Sequence, residues 1–189
     1  AYEDLKSLGR GAFANCRLVR RKTDGELLVV KKFHCPMSEL SVKERLEIAQ
    51  EVKLLAHLSH VNIIKFYDNF VEKGVMHILM EYATGGTLDK RIVMRDGEYI
   101  DEDQVWEWFV QIVMALRYVH TCNVLHRDLK TQNIMLSGPQ QRTVKLGDFG
   151  IAKVLGSRGE MANTMVGTPH YLSPELCQGQ VYDQKSDVW

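Results

Sequence analysis

The segment VLHRDLKTQNIML, residues 124–136, decides how this chain is read. Five side chains that carry charge or bond strongly, His126, Arg127, Asp128, Lys130 and Asn133, lie between two apolar ends, Val124–Leu125 and Ile134–Met135. Apolar flanks draw a loop toward a core, where a polar group costs several kcal/mol unless it is partnered. These residues must therefore face something.

Composition sets the frame. The chain has 189 residues, 45% hydrophobic and 25% charged, with a formal net charge of zero. That is the make-up of a soluble globular protein with one or two domains and a real core. The neutral balance argues against a nucleic-acid partner or a polybasic membrane surface. Cys16, Cys35, Cys122 and Cys177 lie far apart and form no C-x-x-C pair. They read as thiols of a reducing compartment rather than a disulfide framework or a zinc site. No apolar run approaches the roughly 20 residues of a membrane span, and AYEDLKSLGRG at the start carries no signal-peptide pattern. The expected location is cytoplasmic or nuclear.

The first third reads as strands and one helix. Two short apolar runs follow a glycine-rich turn, and TDGE (23–26) is a hairpin signal. Ser41 with Glu44 is a capping box that opens a helix through VKERLEIAQEVKLLAHL. Two more strands are expected around 63–70 and 75–80. Beyond EYATGGTL the pattern turns helical, with Val105, Phe109, Ile112, Val113, Leu116 and Val119 at helical spacing. A short strand pair is expected around Ile134 and Val144–Leu146. The last stretch, DQKSDVW, reads as a helix that starts without ending, so a truncated chain is expected.

Several groups could carry chemistry. In LGRGAFANC, Gly9 and Gly11 follow a strand that reaches Leu8, and their backbones could approach phosphate oxygens. The third glycine of G-x-G-x-x-G is Ala14, and no G-K-[ST] follows, so the loop alone is no more than a hairpin. On a strand Lys31 and Lys32 point to opposite faces, Lys31 with Val29. Glu51 sits among Ile48, Val52 and Leu55 on the core stripe of the capped helix. An inward Lys31 and an inward Glu51 would satisfy one another, although both could instead snorkel to solvent. Asn133, and Asp148 in KLGDFG, offer hard oxygens of the kind Mg²⁺ takes when phosphates complete its shell. Asp128 is then placed to accept a hydroxyl proton, with Lys130 beside it.

Glycine-rich loop, strand lysine, helix glutamate, H-R-D-x-K-x-x-N and D-F-G, in that order, resemble the eukaryotic protein kinase signature. HRDLKTQNI, KLGDFGIAKVL, MVGTPHYLSPELCQG and QKSDVW are similar to the NIMA-related (Nek) kinases, especially the subgroup with RCC1-like repeats. The resemblance implies an α+β bilobal kinase fold. Residues 1–82 would form an N-lobe with an antiparallel sheet and one helix, and 83–189 an incomplete, mainly helical C-lobe.

It also implies roles. ATP and Mg²⁺ are the cofactors, and the γ-phosphate passes to serine or threonine hydroxyls of protein substrates. Lys31 would grip the α- and β-phosphates and pair with Glu51. Asp128 would be the base, Lys130 its phosphate-binding neighbour, and Asn133 and Asp148 the metal ligands. Met80 would stand behind the adenine, backbone groups of Glu81 and Ala83 would bond it, and Cys16, Val29 and Met135 would sandwich it. Leu55, Phe66, His126 and Phe149 match a stacked spine. Thr164 would take an activating phosphate that meets Arg127, and Thr168 would contact the catalytic aspartate. Cytoskeletal or centrosomal partners, and a cytoplasmic, centrosomal or ciliary location, follow by analogy; a nucleic acid or membrane partner does not.

The sequence departs from the pattern at Ala14, at Cys16 for the usual valine, at His170 for tyrosine, and in His60-Val61-Asn62-Ile63 for H-P-N-I. No catalytic group is lost. A binding module without activity is the alternative from another class. A dinucleotide enzyme is excluded because the glycine loop leads into a strand, with no helix to meet a pyrophosphate.

Overall fold

The computed structural model describes residues 2–11, 13–149, 171–180 and 183–189. They form two compact units: residues up to 59 with 64–82, and residues 60–63 with those described from 83 onward.

The first unit is an antiparallel sheet of five strands in the order β1-β2-β3-β5-β4. They are β1 (Tyr2–Arg10), β2 (Ala14–Arg21), β3 (Leu27–Pro36), β4 (Phe66–Glu72) and β5 (Val75–Glu81). Short connections dictate the antiparallel pairing. In the TDGE turn, Arg21 N–H donates to Glu26 O over 2.8 Å and Gly25 adopts φ +78°. Between β4 and β5, Lys73 and Gly74 both take positive φ, the geometry of a two-residue hairpin turn. Strand β1 is the strand expected ahead of the glycine loop, and it runs on through Gly9 to Arg10. It is an edge strand, mostly exposed and dotted with charge, so no apolar run marks it. The strand expected from residue 63 starts at Phe66, and Ile63 instead bridges to Leu146 in the second unit.

Helix α1 (Val42–His57) starts as its capping box requires. Ser41 N–H donates to Glu44 Oε2 over 2.7 Å, and Glu44 N–H donates to Ser41 Oγ over 3.3 Å. Ile48 and Val52 of α1 pack on Ala14, Phe33, Met76 and Ile78 of the sheet. The opposite sheet face has a smaller cluster, Val19, Leu28 and Leu79. The methyl of Ala14, at the third-glycine position, is thus a core group.

In the second unit, β6 (Ile134–Ser137) and β7 (Thr143–Leu146) form a hairpin against which α3 (Glu102–Thr121) lies. Short helices α2 (Leu88–Val93), α4 (Pro174–Cys177) and α5 (Gln184–Val188) complete it. Helix α3 buries Trp108, Ala115, Leu116 and Val119. The stripe expected from periodicity holds only in part, because Val105, Phe109 and Val113 are about half exposed. The helix is apolar nearly all round, with Trp106, Val110 and Met114 also outside, so spacing alone does not select the buried face.

Two connections hold the hairpin. The side-chain amide of Asn62 donates to Val144 O (2.9 Å) and Gln111 Oε1 (2.7 Å), while Leu146 N–H donates to Asn62 O (2.8 Å). Val61, at the proline position of the H-P-N-I pattern, is exposed. On the other side, Gly85 N–H donates to Leu136 O and Leu136 N–H to Gly86 O, each over 2.8 Å. A Cβ on Gly85 would lie 2.7 Å from Leu136 O, so the close approach of the two chains demands glycine. Among the described residues no helix is long and apolar enough to cross a membrane.

Candidate active site

The polar loop quoted at the outset lies wholly in the second unit. Asp128 is its centre. Lys130 Nζ stands 2.9 Å from Asp128 Oδ2 and 3.1 Å from Oδ1. The side-chain amide of Asn133 donates to both Asp128 O and Asp128 Oδ2, each over 2.7 Å. The carboxylate is therefore oriented from two sides while staying about one-third exposed. A base that must meet a substrate needs that combination.

The loop's backbone is held from below by Asp187 of α5, whose side chain is buried. Its Oδ2 accepts His126 N–H (2.8 Å) and lies 2.9 Å from His120 Nε2, while Oδ1 accepts Arg127 N–H (2.8 Å). Three donors on one carboxylate meet the cost of burying a charge. Arg127 has φ +68°, a left-handed conformation that a residue other than glycine takes only under constraint. The anchor supplies the constraint. The α5 helix is tied in turn to α4 by the Ser186 hydroxyl donating to Glu175, which holds the Glu175 carboxyl below its usual range.

His126 is fully buried. Its Nε2 donates to Gly147 O (3.0 Å) and its Nδ1 accepts Asp128 N–H (3.4 Å), which assigns the neutral tautomer from the network. Burial holds the imidazole below the usual histidine range, against the pull of Asp187, Asp128 and Asp148. Its ring packs on Phe149 with centroids 4.7 Å apart. Gly147 and Phe149 bracket Asp148, so the histidine fixes both neighbours of that carboxylate. Asp148 itself has φ +57°.

Asn133 and Asp148 fit a divalent cation bound with phosphates. Gly147 N–H donates to Asn133 O over 3.0 Å, which places the two segments side by side. Both amide protons of Asn133 point at Asp128, so its Oδ1 is turned away as the donor oxygen. Two hard oxygens, with the rest left to phosphate and water, suit Mg²⁺.

Cys16, Val29, Lys31 and Met80 of the first unit share one sheet face. Register aligns Gly9 with Cys16, Cys16 with Lys31, and Val29 with Met80. Lys31 is buried and its Nζ lies 5.7 Å from the Phe33 ring centre, while Lys32 is exposed. Glu51 is half-buried on α1 between Ile48 and Val52 of the same core. Leu8 is half-buried next to Gly9, whereas Gly11 N–H is committed to Ala14 O at 2.8 Å. Glu81 N–H donates to Lys65 O (2.9 Å). Leu55 and Phe66 both pack against the first unit's core, and His126 and Phe149 against each other. In the second unit, Ala83 is buried and Met135 half-buried, bridged to Thr87. Thr164 and Thr168 lie outside the described residues.

Asp187, His120 and Asn62 were not singled out as site residues from the sequence. Nothing in local spacing links Asp187 to a loop 61 residues earlier; only the folded chain does. Replacing Asp187 with alanine leaves three donors without their acceptor. A loss of at least about 3 kcal/mol is expected, since hydrogen bonds to charged groups contribute about 1.5–3 kcal/mol each. Urea unfolding measures it, and an unchanged midpoint would remove the anchor from this account. The depressed His126 predicts a pH effect too. Below about pH 6.5 the unfolded chain takes up a proton that folded His126 resists, so stability falls with acid from there downward. In His126→Phe the decline of Tm from pH 7 to 5 should be shallower than in the wild type. Parallel declines would show that another group titrates.

Comparison with known proteins shows the family. The protein kinase domain family matches residues 2–189. The chain is 50% identical over 188 residues to serine/threonine-protein kinase Nek8 of Danio rerio, covering all of this chain and 26% of that protein. It is 46% identical over 188 residues to serine/threonine-protein kinase Nek1 of Mus musculus, again over the whole chain but 15% of that protein. With the probable serine/threonine-protein kinase nek3 of Dictyostelium discoideum it shares 47% identity over 192 residues, 17% of that protein. The chain thus spans between about a seventh and a quarter of these relatives. It belongs to the protein kinase domain family, and its whole length is similar to the Nek kinases within it.

Proposed function

We propose that the chain transfers the γ-phosphoryl group of Mg·ATP to serine and threonine hydroxyls of proteins. The observation that carries this reading is the arrangement at Asp128. Its carboxylate is held by Lys130 and Asn133 at 2.7–3.1 Å, still reachable by substrate, with Asn133 bonded through its backbone to the residue before Asp148. When bound, Mg·ATP supplies the phosphoryl group and the positive charge that offsets its oxygens. The rest falls to the protein. Asp128 accepts the proton of the attacking hydroxyl and directs its lone pair. Lys130 pairs with the Asp128 carboxylate and offers its ammonium to charge developing during transfer. Asn133 Oδ1 and the Asp148 carboxylate would hold the cation. In the first unit Lys31, paired with Glu51, would bind the α- and β-phosphates. The sequence pattern assigns nucleotide contacts to Leu8, Gly9, Gly11, Cys16, Val29, Met80, Glu81, Ala83 and Met135. Such catalysis is mostly positioning and charge stabilisation.

Thr164 is proposed as an activating phosphorylation site whose charge meets Arg127, and Thr168 as a contact of Asp128. Support is the sequence pattern around them. The same pattern suggests mitotic, centrosomal or ciliary work with cytoskeletal partners, which imaging of tagged protein through the cell cycle would test; diffuse signal in every phase would refute it.

Phosphate transfer to a generic protein substrate is the direct assay. Asp128→Asn should lower kcat by about 10²–10⁴-fold, the span of general-base contributions, with folding unchanged by circular dichroism. Thr164→Ala should reduce activity and remove a phosphopeptide found by mass spectrometry in the wild type. Full activity in Asp128→Asn would end the kinase mechanism proposed here.

A further inference from the structure

Asp89 has no part in the roles above, yet its carboxylate touches the catalytic loop. It is the second residue of α2, a helix whose start is fixed to β6. Gly85 and Gly86 exchange backbone bonds with Leu136, Thr87 bridges Met135 and caps Lys90 N–H, and Leu88 is buried. The Asp89 backbone is therefore a rigid post. From it, Oδ1 accepts two bonds: from Thr131 Oγ1 at 3.1 Å and from Gln132 Nε2 at 2.7 Å.

Those two donors are the first residues of the tight 3-10 turn Thr131–Asn133. The turn closes through Asn133 N–H donating to Lys130 O at 2.9 Å. It sits between the two side chains, Lys130 and Asn133, that orient Asp128. A rotation of this turn would swing both at once. Thr131 Oγ1 also lies 3.3 Å from the Tyr171 hydroxyl, so the cluster joins α2, the loop and residue 171. Asp89 is half-buried, and no lysine or arginine among the described residues pairs with it. A carboxylate in that position could hold the turn or attract a basic residue of a substrate. The double use of Oδ1 on loop residues favours the first.

We propose that Asp89 is a positioning residue of the catalytic loop: by accepting from both Thr131 and Gln132 it locks the 131–133 turn and thereby the grip of Lys130 and Asn133 on Asp128. This rests on the phosphoryl-transfer reading. What matters is the acceptor oxygen, not the charge. Asparagine keeps that oxygen and alanine does not.

The test uses the full-length protein as wild type, Asp89→Ala, Asp89→Asn and Thr131→Val, with Asp128→Asn as the zero. In Asp89→Ala, kcat should drop about tenfold, the scale of one hydrogen bond's net contribution, at unchanged KM for ATP. Asp89→Asn should stay within about twofold of wild type, and Thr131→Val should lose part of the activity. Hydrogen exchange at amides 131–133 should quicken in the alanine variant and not in the asparagine one. Wild-type transfer with Asp89→Ala equally active overturns this inference alone. A raised KM for basic peptides in both Asp89 variants, with kcat intact, also overturns it in favour of substrate recognition. A wild type no more active than Asp128→Asn overturns the phosphoryl-transfer reading, and this inference with it.

Discussion

The second unit depends on one buried carboxylate. Asp187 takes two backbone N–H groups of the 124–136 loop and the His120 ring nitrogen. A buried anion alone would cost several kcal/mol, and a buried peptide N–H without an acceptor costs of the same order. Together they cancel. The arrangement also maintains Arg127 in a left-handed backbone conformation that costs on the order of 1–3 kcal/mol when unsupported. That twist points the chain so that Asp128 faces outward while His126, two residues before it, faces the core.

The interior side of the loop is governed by a neutral histidine. Because His126 is buried and donates from Nε2 to Gly147, its ring acts as a hydrogen-bonding spacer rather than a cation. It couples the loop to the segment carrying Asp148 through one polar bond and one ring contact. The puzzle of five polar residues between apolar ends thereby resolves into two sets. His126 is satisfied by the protein, and Arg127 contributes its backbone N–H to the anchor. Asp128, Lys130 and Asn133 satisfy one another and leave oxygens directed outward.

Much of this was legible from residue types in order. The α1 capping box needs only Ser41 and Glu44 three apart, and the burial of Lys31 follows from strand alternation beside Val29. Chemical groups at short range were readable for the same reason, as Asp128, Lys130 and Asn133 span six residues. What escaped was either too short or too long in range. Helix α2 is six residues, too few for a period to show, so Asp89 carried no signal. On α3 apolar residues circle the helix, so the buried side is set by Asn62, Gln111 and β7 rather than by spacing. The partner of the loop, Asp187, is far along the chain.

That distance has a consequence for biosynthesis. His126 is translated 61 residues before Asp187. At roughly 5–20 residues per second, the catalytic loop waits about 3–12 s for the group that accepts its N–H bonds. During that interval the two donors must stay hydrated and Arg127 has no reason to keep its left-handed twist. A nascent chain paused before Asp187 therefore holds His126, Arg127 and Asp128 in sequence but lacks the contact that arranges them, and chaperones would meet the loop in that unset form.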